Sequence, residues 1–139
     1  MGRTLVHIAL SNGFVYQIHG AQKLKDFAGF DFMSFMKQVA EDEQKPRSKA
    51  EIIQMLREGG DTFTEFLEGV SDDFLAETVT YPAGVQPPTK SRFEMLLSAK
   101  EHEMHHRAQL MLMERMLGIV PHLTRAQQER MAAMQAGRS

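Results

Sequence analysis

The chain contains no cysteine. That excludes disulfides, thiolate metal ligands and a cysteine nucleophile, so a metal must be held by histidine and carboxylate, and a reacting thiol must come from outside. It also lacks any apolar run near the roughly 18–20 residues of a membrane span, and no signal-peptide pattern opens it. The expectation is a soluble cytoplasmic protein with no membrane partner. Excess charge of either sign is missing too, with a net charge of −2, so no electrostatic footprint for nucleic acid exists. Internal repeats and low-complexity segments are absent, and strand-like alternation is scarce.

What remains is ordinary for one globular domain. With 139 residues the chain buries roughly two-thirds of its unfolded surface, and 42% apolar and 24% charged residues are near the globular average. The 11 methionines fall mostly at helical spacing, which predicts a methionine-rich core rather than a soft-metal site.

Periodicity predicts mostly helices. Thr4 to about His19 carries Leu5, Ile8, Ala9, Phe14, Val15 and Ile18 on a helical face, with Gly20 as the stop. On that face His7 reads as a core or boundary histidine. Residues 21–47 are irregular: Phe27, Phe30, Phe32 and Phe35 form an aromatic cluster, and a short helix fits Met33–Val39. Ser48 and Glu51 form a capping box that starts a helix running to about Leu67, with Gly59-Gly60 as a flexible spot or a close helix contact, the flexible spot preferred. A connector, 71–89, follows, with one helical turn at Asp72-Asp73, extended character at 78–81, and prolines that forbid regular structure. A second capping box, Ser91 with Glu94, launches the longest helix, to about Leu117, ended by Gly118 and Pro121. A third, Thr124 with Gln127, precedes a final helix over 126–135.

The chemistry concentrates at the centre of the longest helix. Lys100-Glu101-His102-Glu103-Met104-His105-His106-Arg107 holds three of the chain's six histidines. His102 and His106 are four apart and stack one turn above the other, the spacing at which two imidazoles hold one metal ion. His105 is not excluded by geometry, and the whole stretch is polar enough to be a solvated face. Residues 102–106 also match the His-Glu-x-x-His pattern of zinc proteases. That reading needs a third downstream ligand and a substrate-binding edge strand, and the chain offers almost no strand.

Leu5-Val6-His7-Ile8-Ala9 together with His102-Glu103-Met104-His105-His106-Arg107-Ala108-Gln109-Leu110 resembles the DinB/YfiT-like superfamily of metalloenzymes, with Ala108 where glycine is usual. The similarity extends over about residues 4–121, so 1–121 reads as the domain and 122–139 as a tail with a short helix. The resemblance implies an all-α, up-down-down-up helical bundle, here lacking most of the family's first helix. Such a gap exposes an apolar groove, and an upstream continuation of the chain, a homodimer or the tail helix would cover it.

The resemblance further implies that His7, His102 and His106 ligate a divalent metal, zinc or nickel first and iron next, with His105 only a neighbour. Glu103 or Arg107 would support the ligands, and the Phe27–Phe35 segment would wall a pocket. Three neutral imidazoles leave a coordination position open. Characterised relatives implied by the resemblance include mycothiol- and bacillithiol-linked transferases and maleylpyruvate isomerase. The expected activity is therefore that of a metal-dependent transferase or isomerase acting on a small molecule with a low-molecular-weight thiol. The alternatives are a non-catalytic, damage-inducible stress-response protein that binds metal, and a bundle with no metal at all. No side chain is assigned as general base.

Overall fold

A computed structural model describes residues 1–137. Helix α1 spans Gly2–Tyr16 and runs on through a π turn, Gln17–Ala21. Then come α2 (Phe32–Gln44), α3 (Lys49–Glu68), the short α4 (Asp72–Ala76), strands β1 (Thr78–Thr80) and β2 (Thr89–Ser91), α5 (Arg92–Met116) and α6 (His122–Ala136). The architecture is all-α, with one two-stranded antiparallel ribbon that pairs Thr78 with Ser91 and Thr80 with Thr89. No helix among the described residues is long and apolar enough to cross a membrane. The chain divides into two compact units, Met1–Met104 and the part from His105 onward, and the division falls inside α5.

In the first unit α1 packs against α3 and α2. Val6, Ile8 and Ala9 are buried on α1, and Ile18, Phe27 and Val79 form the buried cluster. A Cβ at Gly59 would stand 4.0 Å from the Ala9 carbonyl, an ordinary contact, and one at Gly60 would meet nothing within 4 Å, so neither glycine marks a close helix contact; α3 runs unbroken through both. Its start is the expected capping box: Ser48 Oγ accepts from the Glu51 amide, and Glu51 accepts from the Ser48 amide at 2.6 Å. Ser91 and Glu94 form the same pair at the start of α5, although Ser91 also closes β2.

Several expectations are corrected. Helix α2 is longer than Met33–Val39, because Asp31 caps it through the Ser34 amide and nothing breaks it before Lys45. The connector is partly ordered, since the backbone of β1 bonds not only β2 but also the 25–27 loop, Phe27 N–H to Thr80 O and Thr80 N–H to Lys25 O, both at 3.0 Å. The methionines are not the core. No methionine is among the buried residues described, and Met33, Met116 and Met134 are 60–79% exposed.

In the second unit α5 ends as expected. Gly118 takes φ +74°, the Ile119 amide reaches back to Glu114 O and the Gly118 amide to Arg115 O, a Schellman stop. The Thr124–Gln127 box does not form. Pro121, at ψ 147°, serves as the N-cap and accepts from the Arg125 amide, so α6 begins at His122, two residues before Thr124.

Candidate metal centre

His7 lies on α1 and His102 on α5, and their Nε2 atoms are 3.1 Å apart, both rings half-buried. The position of His7 is fixed from behind by α2. Its Nδ1 bonds Glu43 Oε1, and Glu43 is only 19% exposed. An ionised carboxylate only accepts, so Nδ1 carries the proton and the neutral ring keeps its lone pair on Nε2, facing His102. His106 follows His102 by one turn of the same continuous helix, and one ring nitrogen from each of His7, His102 and His106 lies within 4.8 Å of the others. His106 is oriented locally: its Nδ1 donates to Gln109 Oε1 at 2.9 Å, which leaves Nε2 as the lone-pair nitrogen. The same amide donates to His105 Nε2, and His105 is exposed.

This donor set fits a divalent ion. Two nitrogens 3.1 Å apart can each stand roughly 2.0–2.1 Å from one metal, and both Glu43 and Gln109 hold the opposite ring nitrogen, the usual outer support of metal-bound histidine. Three imidazoles do not choose among zinc, nickel, copper and iron. Of the expected supports, Glu103 accepts a long 3.5 Å bond from Asn12 on α1. Glu43 and Gln109, which hold the histidines directly, were not singled out from sequence. Glu43 sits in an acidic run that reads as solvated surface, while Gln109, three residues from His106, carried a usable signal.

His7 and His102 form part of the wall of a cavity of about 630 Å³ in the first unit. Phe27, Phe30 and Phe32 line it, as the aromatic segment suggested, while Phe35 stacks on Phe14 with ring centroids 4.2 Å apart. His19, from the π turn, lines it too and is 2% exposed. Burial, and next the Arg92 charge, push the His19 pKa down to about 4, so the ring is neutral at physiological pH. Arg92 in turn bonds Glu77 and holds its carboxyl below the usual carboxylate range.

Fold and site together define an all-α protein with a three-histidine cluster that could bind a divalent metal. The chain belongs to the DinB family, whose model matches residues 1–137. No curated protein matches the chain, and no solved structure does.

Proposed function

We propose that the chain is a metal-dependent enzyme in which His7, His102 and His106 are the ligands, and that it acts on a small, largely apolar molecule as a transferase or isomerase with a low-molecular-weight thiol in the cytoplasm. The cavity carries this reading. A metal that only fastened helices together would be enclosed by protein ligands, whereas His7 and His102 face a space of about 630 Å³. A divalent ion held by His7, His102 and His106 would supply Lewis acidity there.

The chain's own residues do the rest. Glu43 and Gln109 set the tautomers of His7 and His106 so that Nε2 of each carries the ring lone pair. Phe27, Phe30 and Phe32 exclude water from the space beside them and bind apolar surface. With no cysteine in the chain, the thiol must be exogenous.

The test is elemental analysis of tag-free protein beside His7→Ala and His102→Ala. About one equivalent of divalent metal in the parent and none in either variant is expected. The cobalt-substituted protein should then change its visible spectrum on adding a thiol such as bacillithiol. An unchanged spectrum at saturating thiol would reduce the reading to a non-catalytic metal protein.

A further inference from the structure

The three-histidine cluster leaves a second buried polar group beside the same cavity unexplained. Arg92 is fully buried. Its guanidinium donates from Nε to Glu77 Oε2 at 2.9 Å, from Nη2 to the Lys23 carbonyl at 3.1 Å and from Nη1 to His19 Nδ1 at 3.1 Å, and it lies over the Phe74 ring. A guanidinium has donors and no acceptor, so His19 Nδ1 accepts and the proton of the neutral ring is on Nε2. That Nε2–H makes no hydrogen bond among the described residues. No fully buried side-chain nitrogen or oxygen among them lacks a partner, so Nε2 keeps some accessible surface on this nearly buried ring. His19 is one of the residues that line the cavity.

We propose that His19 is a ligand-binding residue: its Nε2–H, set by Arg92, takes the carbonyl or carboxylate oxygen of an elongated, mostly apolar ligand whose other end reaches His7 and His102. His19 stands twelve residues beyond His7 on one continuous helical element, roughly 18 Å at 1.5 Å per residue. Asn12, Val15 and His19 follow one another at helical spacing, and all three line the cavity, so the donor shares a wall with the apolar surface. An apolar pocket with one fixed polar group selects ligands that satisfy that group, because binding an isostere without an acceptor leaves the donor buried and unpaired. The substrate class is thus an apolar ketone, aldehyde or carboxylic acid rather than a hydrocarbon or an ammonium compound. This assignment rests on the cavity being the substrate site, and not on the metal.

The experiment uses the full chain stripped of metal, with the neutral dye N-phenyl-1-naphthylamine as the reporter of cavity binding. Displacement by 4-phenylbutan-2-one is compared with displacement by butylbenzene, which has the same carbon skeleton and no acceptor. The ketone should win by about tenfold in the parent, the size of one hydrogen bond. His19→Phe should still bind dye and lose that preference. His19→Gln should keep it, since an amide can accept from Arg92 and donate to the ligand. Lys90→Met should also keep it, which separates His19 from the cationic side chain that lines the same cavity.

Because displacement is measured on metal-stripped protein, loss of metal binding and loss of ketone selectivity fail independently. Should His19→Phe not fold, nitrogen-15 spectra of the parent replace it, and the His19 Nε2–H signal should shift on adding the ketone. Equal displacement by both compounds, selectivity retained in His19→Phe, an unmoved His19 signal while the ketone displaces dye, or no dye binding would each overturn the proposal.

Discussion

His7 and His19 lie on the same helical element and line the same cavity, yet they are opposite devices. A carboxylate holds His7. Glu43 accepts the Nδ1 proton, and the ring presents a lone pair. A guanidinium holds His19. Arg92 fills the Nδ1 lone pair and the ring presents a proton. The first arrangement suits a cation and the second an acceptor oxygen. The ring chemistry is identical, so the difference comes wholly from the group behind each histidine, supplied by α2 in one case and by the start of α5 in the other.

Removing those groups should separate the two ends, and the largest effect belongs to Arg92. Arg92→Leu removes a buried cation from four partners: it leaves His19 Nδ1 and the Lys23 carbonyl unmatched and Glu77 with only Lys25, 3.4 Å away. Because Glu77 is about one-third exposed and regains water, the expected loss is near the lower end of the range for a broken buried pair, about 3 kcal/mol in urea unfolding. Wild-type stability in this variant would show the guanidinium to be solvated, and His19 would lose its fixed tautomer.

At the other end, Glu43→Ala should weaken metal binding by roughly 10- to 100-fold, measured by competition with a chromophoric chelator. The metal-free protein should lose no more than about 1 kcal/mol, because Glu43 is partly solvated and its bond to His7 is a side-chain contact near the surface. Unchanged metal affinity would break the comparison on this side.

The pH dependence of stability probes the His19 end alone. Free in the unfolded chain, His19 binds a proton near 6.5, whereas in the fold it resists one until about 4. Between those values the unfolded state holds more protons, so stability must fall as pH drops through this window and stay level above it. His19→Gln should flatten that part of the profile in thermal melts at pH 4–7. Carboxylates also titrate toward its lower edge, and the difference between parent and variant isolates the histidine.

How much of this was legible in sequence depended on whether the signal was local. The caps at Ser48 and Ser91, and the Gly118 stop, need only neighbouring residues and were read correctly. The box at Thr124 failed because Pro121 provides an earlier start, and α2 was read short because Asp31 caps it and no breaker precedes Lys45. Methionine spacing suggested a core, but periodicity marks a face and does not say what covers it. Periodicity made His7 a boundary residue, and only the resemblance joined it to His102, 95 residues away. The structure brings their rings together. Arg92 had no sequence signal at all: it sits directly after a cap, where an arginine is normally solvated, and its partners come from residues 19, 23, 74 and 77.

The finest test of the comparison is Gln109, whose amide touches two histidines with opposite polarity. Its oxygen accepts from His106 Nδ1 and its nitrogen donates to His105 Nε2. If its importance lies in orienting His106, Gln109→Glu should retain metal affinity, because a carboxylate still accepts from Nδ1, while Gln109→Ala should cost roughly tenfold, the lower end for an outer support. The bond is exposed, so water replaces part of what alanine removes, and the loss should stay below that of Glu43→Ala. Equal losses in the two Gln109 variants would mean that the contact to His105 matters instead, and would give His105 a part in the site that its exposure argues against.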